Sequence, residues 1–326
     1  MVLSNDALAI LLICSHAGLA EDSPFKPLTL REWNSLARKL AGAALCPGDL
    51  PGSSVSNLQS RLELAADEAQ RIIILLARDE ALSNALQRLA ARNIYPITRM
   101  DPDYPSKFRE RLKDAAPTVL FYAGEKALLG QPGIAVVGSR RLDPAGQECA
   151  EIVGNACGLS GRVLYSGGAK GVDTISMAAA LEARGTAVGI LANSLEDAIR
   201  GSEARIALRA GNLCLLTPYS PNAGFSVGAA MGRNRLIYTL ADYAVVVASD
   251  AGTGGTWAGA SEALKHGWVP VFVLEHEAMP EGNRQLLAKG AMPLPYPIRE
   301  KPAHLPEWFE AQAVRRTGAP SQPPLF

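Results

Sequence analysis

Residues 133–173 read GIAVVGSRRLDPAGQECAEIVGNACGLSGRVLYSGGAKGVD. Two short apolar runs, GIAVV and RVLY, each end in a polar, glycine-containing turn, and a segment of helical length (144–157) separates them. A continuous apolar run bounded by turns describes a strand covered on both faces, which is the situation of a parallel sheet. The same alternation recurs downstream. TAVGIL (186–191), LCLL (213–216), YAVVVA (243–248) and VPVFVL (269–274) are further apolar runs, and 172–184 has the length and composition of another crossover helix. The expectation is an α/β domain over 119–295, built on a doubly wound, mostly parallel Rossmann-like sheet.

Upstream the periodicity is helical. Ser4–Cys14 opens on capping residues, and TLRE at 29–32 is a capping box leading into Trp33, Leu36 and Leu40. Leu, Ile and Ala recur at helical spacing over 58–92, up to Asn93, a residue that tolerates a left-handed helix end. Residues 1–93 are therefore expected as a small helical N-terminal domain. The stretch 94–118, with prolines at 96, 102 and 105, is expected as a linker or docking segment, and the polar, proline-rich 296–326 as a flexible tail.

Composition narrows the function classes. The chain has 326 residues with 32 basic and 32 acidic side chains, so bulk charge does not advertise nucleic-acid binding, and any such site must be a local cluster of Arg and Lys. Five scattered cysteines without a C-x-x-C pair, and four histidines without ligand spacing, point to reduced thiols and no metal site. ALAILLIC (7–14) lacks a basic n-region and is too short to span a bilayer, so the expected location is cytoplasmic.

In open α/β sheets ligands gather beyond the carboxyl ends of the strands. The loops there are Gly138-Ser139-Arg140-Arg141, Ser166-Gly167-Gly168-Ala169-Lys170-Gly171, Ala192-Asn193-Ser194, a connection running to Gly232-Arg233-Asn234-Arg235, and Ser249-Asp250-Ala251-Gly252-Thr253-Gly254-Gly255-Thr256. Glycine amides approaching an anion, with Arg as a bidentate fork, make a phosphate cradle; solvated turns would carry similar residues. SGGAKG is neither a Walker A loop nor G-x-G-x-x-G, yet Gly167, Gly168 and Gly171 can form an amide nest with Lys170 as its charge. Asp173 would repel an anion, so it is expected to cap the following helix or orient a neighbouring cation. Arg233 and Arg235 diverge at i, i+2, so that one can face a ligand while the other packs. No nucleophile elbow, paired catalytic residues or cofactor fingerprint is present, and binding without catalysis is the expected output.

Together ITRMDPDYPSKFRERLKDAAPTVLFYAGEKALL, AVVGSRR, YSGGAKGVD, TAVGILANSLE, RNRLI and GNRQLLAKGA resemble the DprA/Smf family (DNA-processing protein A), over about 94–293. The resemblance implies a homodimer that binds single-stranded DNA and hands it to a RecA-type recombinase. It implies phosphate contacts from Gly138, Ser139 and Arg140, a second wall from Ser166, Gly167 and Lys170, and closure by Arg233, Asn234 and Arg235. The chain departs from the family pattern in three places. Met177 stands where a His is usual, SVGAAMG separates Phe225 from Arg233 where members have an FPRRNR-like arrangement, and the residues after 296 are too few for a winged helix.

Two other readings use the same loops. A nucleotide-sensing module would hold a mononucleotide there. A nucleoside-monophosphate phosphoribohydrolase would need P-G-G-x-G-T-x-x-E, but here GTGGT is followed by Trp257-Ala258-Gly259, with Glu262 further on. Separately, the terminal QPPLF resembles peptides that dock in the bacterial sliding clamp, through Gln322, Leu325 and Phe326.

Overall fold

The structure is a computed structural model and describes residues 3–20 and 22–318. The sliding-clamp peptide lies outside the described residues. The chain divides into two compact units: Met1–Gly124 with Asn193–Gly201 and Leu216–Gly224, and Glu125–Ala192 with Ser202–Leu215 and Phe225–Phe326.

The first unit carries helices α1 (Asn5–Cys14), α2 (Leu30–Gly42), α3 (Val55–Leu62), α4 (Ala66–Leu76) and α5 (Asp79–Ala90). Their ends follow from local chemistry. The Ser4 side chain accepts from the Ala7 amide, and Thr29 and Glu32 cap each other reciprocally, as TLRE implies. Glu63 adopts positive φ at the end of α3, and Asn93 adopts φ 57° just beyond α5. The helical spacing read from 58 to 92 thus spans three helices. Ile10, Leu11, Trp33, Leu36, Leu40, Ile72 and Leu75 form this unit's core.

Residues 94–118, expected as a linker or docking segment, carry regular structure. They contain strand β1 (Ile94–Thr98), and helix α6 (Ser106–Leu112) follows; β1 pairs antiparallel with β2 (Val119–Gly124), Ile97 opposite Leu120. Pro96 argues against a strand by its missing amide, but a strand with one free edge accommodates it. The short helix α9 (Leu195–Ala198) belongs to this unit as well, where Glu196 pairs with Arg92.

The second unit holds β3 (Gly133–Val137), β4 (Val163–Ser166), β5 (Thr186–Ile190), the first residues of β6 (Leu213–Thr217), β7 (Tyr243–Val246), β8 (Val271–Glu275) and β9 (Met292–Pro295). Their order is β6-β5-β4-β3-β7-β8-β9. The pairs β3–β4, β3–β7, β4–β5, β7–β8 and β8–β9 are all parallel, with Ile134 opposite both Leu164 and Tyr243. Helices α7 (Pro144–Ser160), α8 (Val172–Glu182), α10 (Ser202–Arg209), α11 (Val227–Leu240), α12 (Gly254–His266) and α13 (Glu281–Ala288) lie between the strands in sequence. Strands β3, β4, β7 and β8 are almost wholly buried. This is the doubly wound Rossmann-like sheet that the apolar runs imply.

The strand order fixes where a ligand can enter. From β3 the chain moves outward through β4, β5 and β6, then returns to β7 on the other side of β3. The loops after β3 and β7 therefore part from one another and leave a crevice between them, as expected at such a switch point.

The segment after 296 is not irregular throughout. Helix α14 (Leu305–Gly318) follows, with Leu305 and Phe309 fully buried. Phe309 packs on Phe272 and Tyr243, at ring-centroid distances of 4.6 and 6.1 Å. Among the described residues no helix is long and apolar enough to cross a membrane.

Candidate functional site

A cavity of about 410 Å³ opens at the β3/β7 switch point. Gly138, Ser139, Arg140 and Arg141 line one side of it, and Ser249, Asp250 and Thr253–Thr256 line the other. Residues of α11 and the segment before it, including Phe225, Met231, Arg233, Asn234 and Tyr238, complete it, with Ala169 and Asp173 reaching in from the β4 loop. Three of the loops singled out in the sequence thus converge with the start of α11.

The crevice loop after β7 is held from behind by α13. Asn283, fully buried, donates to the carbonyls of Val247 and Leu274 and accepts from the Ser249 amide. That fixes the exit of β7 against β8. Beyond it, Gly252 and Gly254 take φ 69° and 82°, turning the chain into α12. Thr253, at the N-cap, makes no side-chain cap hydrogen bond. The first amides of a helix have no partner within it, so this turn offers donors and a positive dipole end to the cavity.

The β4 loop behaves differently from an open nest. Asp173 is buried, and its carboxylate accepts from the amides of Gly167 (3.1 Å) and Ala169 (3.2 Å). Two donors that an anion would need are taken. Asp173 is not the N-cap of α8, either: Gly171 occupies that position, and Asp173 sits in the first turn and folds back on the loop. Burial pushes the Asp173 carboxyl up to about 6, against the neighbouring Arg233 charge and the loop amides that favour the ionised form.

Arg233 is the internal counterweight. It is 6 % exposed, and its Nη1 donates to the Ile190 carbonyl at 2.7 Å. Gly167 lies so close that a Cβ there would overlap the guanidinium. Arg235 is half-buried, its Nε donating to the Gly232 carbonyl, and it is not among the cavity-lining residues. Asn234 lines the cavity, with Gly255 against its amide.

The sequence-derived residues therefore separate into two sets. Gly138, Ser139, Arg140 and Asn234 line the cavity; Arg140 is exposed, as is Lys170 in the adjacent loop outside the lining. Ser166 is fully buried, its hydroxyl donating to the Val136 carbonyl, and Gly167 is buried beneath Arg233. Gly168 and Gly171 take φ 67° and 90° and shape the turn. Sequence reasoning passed over Tyr238 and the exposed Val227 and Met231, which carry no phosphate-binding signature of their own.

The Asp173 carboxyl carries a pH signature. Its folded value lies above its ordinary one of 3.8, so the folded state binds the proton more tightly than the unfolded chain. Its contribution to stability is full below pH ~4 and is lost as pH rises through ~6. Denaturant midpoints taken across that window should show a decline of up to about 3 kcal/mol from this group. Asp173→Asn should remove that component, whereas an identical decline in the variant would place its origin elsewhere.

Residues 95–299 match the family model described as DNA recombination-mediator protein A. The chain is 31 % identical over 219 residues to the DNA processing protein DprA of Streptococcus pneumoniae, an alignment covering 65 % of this chain and 73 % of that protein. Its fold resembles the crystal structure of DNA processing protein A from the same organism, with TM-score 0.68 and 21 % identity over 94 % of this chain and 99 % of the other. A second solved relative, DNA processing protein A from Helicobacter pylori, was studied for its single-stranded DNA binding mode. It aligns with TM-score 0.55 and 25 % identity over 68 % of this chain and 96 % of its own.

Proposed function

The chain belongs to the DNA recombination-mediator protein A family, and from that premise we propose that the β3/β7 crevice binds the backbone of single-stranded DNA. The observation that carries the proposal is the convergence of the Gly138–Arg141 loop, the Thr253–Thr256 turn and the start of α11 around one cavity with Arg140 at its surface. Backbone amides and Arg140 hold phosphate there, and Lys170 extends the cationic track outside the cavity. Ser166, Gly167, Asp173 and Arg233 work differently: they build the wall and set its shape. Arg235 supports the α11 turn. In this reading the protein acts as a homodimer in the cytoplasm and delivers the bound strand to a RecA-type recombinase.

The role requires no chemistry on the strand. Gly259, standing where a phosphoribohydrolase carries its Glu, packs against Tyr238 and Asn234 with no room for a side chain, and Glu262 is not among the cavity-lining residues. The direct test is one competition series in which a labelled oligo-dT is displaced by unlabelled single strand, duplex and mononucleotides. The single strand should compete best. Displacement by a mononucleotide at equal concentration would instead make the crevice a nucleotide sensor.

A further inference from the structure

The first unit holds a cavity of about 1110 Å³ bounded by α1, α4, α5 and β1. Its walls are apolar: Leu8 and Leu12 come from α1, Ile73 and Leu76 from α4, and Leu86 from α5. On α1, Ala7 and residues 9–13 are buried, yet Leu8 is 37 % exposed. On α5, Ala85 and Leu89 pack into the core, and Ser83, Leu86 and Ala90, three and four residues apart, present another face to the cavity. Apolar surface of this extent left open to water marks a binding groove.

Two features decide what fits it. Strand β1 contributes residues 94–96 to one wall, but its edge does not accept another strand. The Thr98 amide donates to the Asp101 carboxylate at 2.6 Å, whereas the Arg99 amide donates to the Thr118 carbonyl. Thr118 immediately precedes β2, so position 99 faces β2 and position 98 faces the free edge. Alternation places Ile94 and Pro96 on that edge with Thr98. Pro96 has no amide and the Thr98 amide is already bonded, so only the Ile94 donor is left for an incoming strand. A helix needs no such donors, because its backbone hydrogen bonds are internal. The second feature is charge. Among the described residues lining the cavity, the charged ones are Asp79 and Glu80, both exposed in the first turn of α5. A cationic flank complements them, whereas an acidic peptide or an anionic lipid surface meets like charge.

We propose that this groove is the docking site for a basic amphipathic helix of a partner protein. Its apolar face lies on Leu8, Leu12, Ile73, Leu76 and Leu86, and Lys or Arg on its flank faces Asp79 and Glu80. About three turns match the length of α5. The inference stands independently of the single-strand reading above.

The test is fluorescence anisotropy of the full chain with labelled peptides of about 14 residues. One is a leucine–lysine helix with leucine at i, i+3, i+4 and i+7; the second carries glutamate for each lysine; the third scrambles the first. The leucine–lysine helix should bind, and the other two should bind at least about tenfold more weakly. Leu8, Asp79 and Glu80 are exposed, so thermal melts of Leu8→Glu and of Asp79→Asn/Glu80→Gln should match wild type. Leu8→Glu should weaken the leucine–lysine helix by more than about tenfold, and Asp79→Asn/Glu80→Gln should erase the preference for lysine over glutamate. Wild type that binds no peptide, or all three alike, overturns the inference, as does undiminished binding in Leu8→Glu. A lower molar mass of Leu8→Glu than of wild type in light scattering also overturns it, because a second copy of the chain would then cover the groove.

Discussion

Gly171→Ala should lower stability by about 3 kcal/mol and abolish strand binding together with it. Gly171 takes φ 90° at the N-cap of α8, a conformation that L-residues avoid. A Cβ there would also stand 2.5 Å from the Ser139 carbonyl oxygen and 2.7 Å from Arg140 Cα. Those are main-chain atoms of the loop after β3, so the collision cannot be relieved by rotating a side chain. The loop that presents Arg140 must move, or α8 must withdraw. Gly168→Ala supplies the control. It has a similar φ of 67°, but its Cβ would meet only the Leu191 side chain, at 3.1 Å. Thermal melts and oligo-dT titrations of the two variants should differ sharply, and equal behaviour would show that the loops are not interlocked at Gly171.

Arg233→Met should cost about 3–5 kcal/mol, because it leaves a buried carboxylate without its cation. Arg233 fills the space above Gly167 and ties α11 to the end of β5 through the Ile190 carbonyl. Its charge is also what opposes the upward displacement of the Asp173 carboxyl. Without it, Asp173 should hold its proton to higher pH and release the Gly167 and Ala169 amides more readily. The double variant Arg233→Met/Asp173→Asn should recover part of the loss, since no charge is then stranded. A single variant as stable as wild type, or a double variant with strictly additive losses, would contradict the pairing.

The sheet was legible in most of the strands buried on both faces. GIAVV, RVLY, TAVGIL, LCLL, YAVVVA and VPVFVL all correspond to observed strands, because covering both faces keeps polar residues to their ends. Three strands escaped: β2 (Val119–Gly124) did so although it is almost wholly buried, while β1 and β9 lie at edges and carry proline, Pro96 in β1 and Pro293 and Pro295 in β9. A missing amide is tolerated there, so the signal that argues against a strand in general fails where only one side is paired. Helix α14 escaped because LPEWFEAQAV sits in a proline-rich context, and its anchor, Phe309 against Phe272, is a tertiary contact without a local signature.

The site was legible as a set of loops but not as roles. Position after the strands and the Gly, Ser and Arg content marked 138–141, 166–171, 232–235 and 249–256. Which residues face a ligand depended on partners far away in sequence. Asp173 turned out to satisfy the β4 loop from within, and Arg233 to be walled in by Gly167. A cation next to a glycine reads the same in sequence whether it serves a phosphate or a buried carboxylate.

The central claim is that Arg140 and Lys170 contact phosphate of single-stranded DNA, and a salt series tests it most directly. Oligo-dT affinity should be measured across ionic strengths for wild type, Arg140→Ala and Lys170→Ala. Each variant should bind more weakly at low salt, and the slope of log affinity against log salt should flatten by about 0.7 for each phosphate contact removed. Lines for both variants that coincide with wild type across the series would contradict the account.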